Sequence, residues 1–359
     1  MSKILLITLE YPPQKGGVAS YYQGIVQELK NNEHQVEILS QNLLAKYFWP
    51  RWLKTYFILK KYLKESKPDL ILVGQVLPLG LAAYLLRKKT PYVVFTHGMD
   101  VLMAQKSRRK RWITEKILRY AKFIITNSQF TKNLLTTHYA LLTDKISVIH
   151  PCPDQTQNNV SQETLDTFSH RLSLTGKNVM LFLGRLVDRK GVDMTLKALP
   201  QILKETPNTV FLIAGTGPCF SKLQQFVVSL NLRSSVYFLG EIFEENKKAC
   251  LALCDILIMP ARQIGPDVEG FGLVFLEAAL FKKPSIGGRS GGVPEAIVEG
   301  QTGLLVDPSD SFDIAHAAIS LLKNKELRQK MGEQAFERVQ NEFTWPKQIK
   351  PLLGQINKL

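Results

Sequence analysis

Glu269 and Glu277 flank Gly270-Phe271-Gly272 in DVEGFGLVFLEA, residues 267–278, with Glu-x7-Glu spacing. The glycines let a loop become a helix whose first backbone N–H groups point at a ligand. Glu277 is predicted about two turns inside that helix, near its inner face, where a carboxylate is costly unless paired. A ligand hydroxyl is the expected partner. Helix-capping charge covers Glu269 but explains Glu277 poorly. Upstream, GRLVDRKG (184–191) places Arg185 and Lys190 after an apolar run and around the start of the next helix. Arg as a fork and Lys as a point charge suit a diphosphate; solvated loop charges are the alternative. Gly16-Gly17 follows the first apolar run and Pro12-Pro13, before a helix predicted near Ala19. It fits either a close anionic group at a helix N-terminus or a plain turn. GTGP at Gly215 lacks the third glycine of a dinucleotide fingerprint and reads as a turn, and no Walker A pattern occurs.

Such residues need a scaffold, and the pattern around them names one. Short apolar runs (ILLITLE, VEILS, DLILVG, YVVFTHG, FIITNS, ISVIH) alternate with helical stretches, pause at the polar DQTQNNVSQETLDT, and resume as VMLFLGR, VFLIAG, VYFLG, DILIMP, PSIGG and GLLVDP. Alternation of this kind predicts parallel sheets with crossover helices, ligands lying at the carboxyl ends of the strands. Two Rossmann-like α/β domains are expected, 1–160 and 161–340, facing across a central cleft, with a helix in 341–359 crossing back to the first. The 359 residues, 45% of them hydrophobic, exclude disorder, collagen-like repeats and a small disulfide scaffold. Four scattered cysteines, without zinc-ribbon spacing, point to a reducing, cytoplasmic setting. No signal peptide and no spanning helix are expected.

Charge is distributed unevenly. Residues 1–160 carry 23 Lys and Arg against 10 Asp and Glu, or +13 of the formal +15. Two segments concentrate it, Lys46–Lys67, rich in Tyr, Phe and Trp, and Lys106–Trp112. On a helix, Trp52, Tyr56, Leu59 and Leu63 form one stripe, with Arg51, Lys54 and Lys61 nearly opposite and Phe57, Ile58 and Tyr62 flanking. The aromatics outside the stripe suit an anionic membrane surface; a solvated helix and a nucleic-acid backbone are the alternatives. With no nucleic-acid module around the patch, nucleic acid is not an expected partner.

Five separated motifs, PPQKGGVASY, FTHGMD, GRLVDRKG, EGFGLVFLEA and GGVPEAIVEGQTGLLVDP, together resemble family-four retaining glycosyltransferases of the GT-B fold, in order and over nearly the whole chain. MPARQIGPDVEGFGLVFLEA most resembles bacterial phosphatidylinositol-mannoside mannosyltransferases that use GDP-mannose. The resemblance implies that Arg185 and Lys190 bind the donor diphosphate and that Glu277 holds the nucleotide ribose. It implies that Glu269 and the amides of Phe271, Gly272 and Leu273 meet the transferred sugar and the phosphates, and that Gly16-Gly17 approaches the distal phosphate. His97 would line the sugar and acceptor site, and the loop at Ile242 would meet the base. The implied activity is metal-independent, retaining transfer of a hexose, most simply mannose, to a lipid or glycolipid at the inner face of the membrane. A UDP-sugar donor, a soluble acceptor, or a non-catalytic membrane or nucleic-acid binder are the alternatives. No Asp-x-Asp pair holds a metal, and the nucleotide sugar is a substrate, so no cofactor is expected.

Overall fold

Each of the twelve apolar runs forms a strand; inner ones such as DLILVG and VFLIAG are buried on both faces of a parallel sheet and have no solvent side to fill with polar residues, whereas edge runs such as VEILS are half-buried. The computed structural model describes residues 1–14, 16–45, 49–155 and 159–358. Lys46, Tyr47 and Phe48 of the basic-aromatic segment lie outside them, as do residues 156–158 of the polar stretch. The chain divides into two compact units, Met1–Cys152 with Trp345–Leu359, and Pro153–Thr344. These divisions compare with positions 160 and 340 anticipated from the pause in the alternating runs and from the last helical segment.

In the first unit, β1 (Lys3–Ile7), β2 (Gln35–Leu39), β3 (Leu70–Val73), β4 (Tyr92–Thr96), β5 (Ile124–Thr126) and β6 (Ile146–Val148) make a parallel sheet ordered β2-β1-β3-β4-β5-β6. Helices α1 (Gly17–Asn31), α2 (Trp52–Glu65), α3 (Leu79–Leu86), α4 (Met99–Gln105), α5 (Arg108–Tyr120) and α6 (Gln129–Tyr139) connect the strands. Two cores form, one on each face. On one, α2 to α6 bury Leu59, Leu63, Leu79, Val101, Ile117 and Leu135. On the other, Tyr21, Tyr22, Ile25 and Leu29 of α1 pack with Ile349, Leu352 and Ile356 from the end of the chain.

The second unit holds β7 (Asn178–Leu183), β8 (Thr209–Ala214), β9 (Val236–Gly240), β10 (Ile256–Met259), β11 (Ser285–Gly288) and β12 (Gly303–Val306), parallel and ordered β12-β11-β10-β7-β8-β9. Its helices are α7 (Gln162–Arg171), α8 (Val192–Glu205), α9 (Phe220–Ser229), α10 (Glu244–Leu253), α11 (Leu273–Leu280), α12 (Val293–Ala296), α13 (Ser311–Lys323) and α14 (Lys325–Glu342). The chain then returns to the first unit as α15 (Trp345–Gln348) and α16 (Lys350–Ile356). Strand order reverses between β1 and β3 in one sheet and between β7 and β10 in the other, and a crevice opens at such a switch point.

The basic-aromatic helix α2 differs in detail from its helical-wheel reading. Leu59 and Leu63 are buried, Trp52 and Tyr56 are half-buried, and Ile58 and Tyr62 also pack against the core. Within α2 the exposed aromatic is therefore Phe57, at 57%. No helix among the described residues is long and apolar enough to cross a membrane, and all four cysteines are buried and free.

Candidate functional site

The β7–β10 switch point gathers the charged motif residues of the second unit. The GRL segment leaves β7 beneath the GTGP turn. Gly215 has φ +141, and a Cβ on it would stand 1.9 Å from Gly184 O; one on Gly217 would stand 2.3 Å from Leu186 O. Both glycines thus fit against the backbone on either side of Arg185, which is further held by Leu186 N donating to Thr216 O at 2.9 Å. Arg185 itself is exposed and has no ion-pair partner among the described residues.

Lys190 lies on the 3-10 turn before α8, and its Nζ sits 2.6 Å from Glu269 Oε2 on the loop after β10. Arg189 Nη1 bonds the same oxygen, while its Nε reaches Asp267 Oδ1 at 2.8 Å. Burial pushes the Glu269 carboxyl up, but the charges of Lys190 and Arg189 outweigh it and hold the group below the ordinary carboxylate range. Close by, Arg262 Nη2 bonds both oxygens of Asp193 on α8, at 2.9 and 2.8 Å. The downstream GGVPEA segment supports the same loop: Gly292 N donates to Glu269 O at 2.9 Å, and a Cβ on Gly292 would lie 2.0 Å from Gly270 O. Phe271 turns its ring into the core against Phe343, and Gly272, with φ +98, precedes Leu273 at the start of α11. No side-chain cap hydrogen bond is made at the start of that helix.

Glu277 departs from its sequence reading. It lies just over one turn into α11 rather than two, because the helix begins at Leu273. It is already paired, Oε1 standing 2.8 Å from Lys247 Nζ of α10, so charge compensation alone does not demand a ligand. Burial lowers the Lys247 pKa, but Glu277 and Glu244 more than offset this, and the net shift is upward. Ile242 is half-buried in the loop between β9 and α10. Lys247, Arg189, Asp267 and the Arg262–Asp193 pair were not singled out from the sequence. Arg189 carries the one local signal, a second cation inside a charged motif, whereas Lys247 meets its partner only through the fold.

In the first unit, the ends of β1, β3 and β4 meet α1. Tyr22 Oη donates to Gly74 O and lies 2.7 Å from His97 Nε2. The Gly74 carbonyl serves both the Tyr22 hydroxyl and the His97 ring. Burial pushes the His97 pKa down to about 4, which keeps the ring neutral. Tyr21 and Tyr22 flank it edge-on, with ring centroids 5.7 Å away in each case. Asp100 Oδ1 accepts from the His97 and Val101 amides at 3.0 Å each, and burial raises its pKa to about 6. Helix α1 begins at Gly17 rather than near Ala19, with Gly16 at φ +143 and no side-chain cap. A Cβ on Gly16 or Gly17 would meet nothing within 4 Å. The structure thus brings Lys190 to Glu269 and His97 to Tyr22, and pairs Glu277 with Lys247. Among the described residues, no group of three or more His, Cys, Asp or Glu is placed to hold a metal.

A family model described as Glycosyltransferase Family 4 matches residues 15–157, and one described as Glycosyl transferases group 1 matches 166–338. The GDP-mannose-dependent alpha-(1-6)-phosphatidylinositol monomannoside mannosyltransferase of Mycolicibacterium smegmatis is 28% identical over 352 residues, 92% of this chain and 91% of that protein. The GDP-mannose-dependent monoacylated alpha-(1-6)-phosphatidylinositol monomannoside mannosyltransferase of Corynebacterium glutamicum is 28% identical over 374 residues, 96% of this chain and 94% of its own. Among solved structures, Anabaena Alr3699/HepE in complex with UDP and glucose has a TM-score of 0.81 at 19% identity, over 100% of both chains.

Proposed function

The chain belongs to the family-four glycosyltransferases of the GT-B type, and from that premise we propose that it transfers mannose from GDP-mannose, with retention and without a metal, to a lipid-linked or glycolipid acceptor at an anionic membrane surface. The observation that carries the reading is the convergence of Lys190 and Glu269 at the β7–β10 switch point, with Arg185, which has no ion-pair partner among the described residues, in the same β7–α8 segment as Lys190. The names of the mycobacterial and corynebacterial relatives support the donor and acceptor classes.

In the reaction, the bond between the anomeric carbon and the diphosphate oxygen breaks and its electron pair leaves on the diphosphate. The acceptor oxygen bonds the same carbon from the same face, and its proton passes to the departing phosphate oxygen. Positive charge grows on the sugar and negative charge on the phosphate, so fixed cations act most strongly in the transition state. Arg185, Lys190 and the α11 amides take that part. Glu269 meets the sugar hydroxyls, Glu277 the ribose, and the Gly16-Gly17 turn the distal phosphate. His97, a neutral ring, hydrogen-bonds a hydroxyl in the sugar and acceptor site. No strong protein base is required.

The second reading, a UDP-sugar donor or a soluble acceptor, is favoured by the loop at Ile242, which offers little side-chain chemistry to tell one base from another. A thermal-shift panel of nucleotide sugars, followed by transfer of radiolabelled mannose to lipid extract or to free sugars, separates the two. Lys190→Ala is expected to lower transfer by about a hundredfold, with activity persisting in excess EDTA. A folded Lys190→Ala variant with full activity, or loss in EDTA rescued by Mn²⁺, refutes the site or the metal-free mechanism respectively.

A further inference from the structure

Arg189 has no part in the chemistry described so far, yet it is the most connected cation of the site. It bonds Asp267 through Nε at 2.8 Å and Glu269 through Nη1, on the same Oε2 that Lys190 approaches to 2.6 Å. Its backbone is fixed as well, Arg189 O accepting from Arg262 N at 2.8 Å. A Cβ on the adjacent Gly191 would lie 2.1 Å from Pro260 O, so this turn is fitted closely against the segment after β10. The Glu269 side chain is 14% exposed and that of Lys190 12%. One oxygen of a mostly buried carboxylate therefore serves two cations, and among the described residues only Arg189 is anchored by a second carboxylate.

On the reading that Lys190 meets the donor diphosphate, we propose that Arg189 is a positioning residue that keeps Glu269 in place and compensated, so that Lys190 is released to the donor. Lys190 can turn from carboxylate to phosphate at small cost only while Arg189 remains on Glu269. Without Arg189, moving Lys190 would leave a carboxylate with little access to water and no countercharge, which is strongly unfavourable. Lys190 then stays on Glu269 and the diphosphate loses its cation. Arg189 also attracts an anion simply as a nearby charge, but that contribution is the same whichever residue stands at 269. Coupling between the two positions separates the two effects.

The test is calorimetric titration of GDP and UDP into the full chain and its Lys190→Ala, Arg189→Ala, Arg189→Lys, Glu269→Gln and Arg189→Ala/Glu269→Gln variants. Arg189→Ala is expected to weaken nucleoside diphosphate binding about tenfold, with Arg189→Lys intermediate because it keeps the charge and loses the bridge. In the Glu269→Gln background, where no carboxylate needs Arg189, adding Arg189→Ala changes binding by no more than about twofold. Equal losses from Arg189→Ala in both backgrounds, or no loss from Arg189→Ala or Arg189→Lys, overturn the role given to Arg189. Unchanged binding in Lys190→Ala, or no binding by the unaltered chain, overturns the donor assignment and this inference together.

Discussion

Gly17 is a residue whose identity the surrounding protein does not require. Its φ is not in the left-handed region, and a Cβ there would enter open space, so alanine fits the first turn of α1 and restricts the unfolded chain. Gly17→Ala is expected to melt at the same or a slightly higher temperature while losing transfer activity, because the added methyl occupies the space assigned to the donor's distal phosphate. A variant as active as the parent removes Gly17 from the site. His97 and Asp100 make a second prediction. Burial lowers His97 from 6.5 to about 4 and raises Asp100 from 3.8 to about 6. Across pH 4 to 6 the native protein keeps a proton on Asp100 that the unfolded chain releases, which alone makes stability fall as pH rises. Over the same range native His97 lacks a proton that the unfolded chain binds, which alone makes stability rise with pH. The two contributions oppose each other, so neither appears in full. Asp100→Asn keeps the acceptor for the His97 and Val101 amides but removes the first contribution, and its melting temperature, measured from pH 4 to 6.5, should rise with pH more steeply than that of the parent. Parallel curves would contradict these shifts.

Among elements, α1 and α15 are closely fitted. A Cβ on Gly24 would fall 2.0 Å from the Trp345 indole, so Gly24→Ala is expected to cost about 1–3 kcal/mol through overpacking. In a Trp345→Ala background the same change should cost little, since the obstacle is gone and alanine is the better helix former; denaturant titration of the four proteins measures the coupling. This contact was not legible in the sequence, because nothing local to Gly24 tells of a tryptophan more than three hundred positions later. The strands were legible, since VMLFLGR or DLILVG has no polar face to mistake for a surface. Their order was not, because either half permits several windings of the same runs. The candidate site was legible as charged motif residues, Arg185, Lys190 and Glu269, of which the structure brings the last two together. It was not where a partner arrives from another element, and the expectation that Glu277 needed a ligand to compensate it failed for want of Lys247.

At the scale of the whole molecule, the first half carries nearly all of the net charge, and the fold gathers its two basic segments onto one face. Helix α3 neighbours both α2 and α5 over the same side of the first sheet. Phe57 on α2 and Trp112 and Tyr120 on α5 are 57%, 61% and 54% exposed beside Lys61, Arg108, Arg109 and Arg111. Vesicles containing phosphatidylglycerol should bind the protein at low salt and release it as salt screens the attraction. Reversing the charges of Lys54, Lys61, Arg108 and Arg109 should abolish sedimentation with vesicles while leaving donor hydrolysis intact; sedimentation that survives both the reversal and high salt refutes the electrostatic docking. The path of the chain has a further consequence. Tyr21, Tyr22 and Leu29 are covered by Ile349, Leu352 and Ile356, which follow the whole of the second unit in the chain. During synthesis the first unit therefore waits, with one side of its sheet incompletely covered, until residues 345–359 have emerged. The second unit, uninterrupted from 153 to 344, has all of its residues in hand before then. Cover on that side of the first unit is thus completed last in synthesis, although most of the unit's own residues come first.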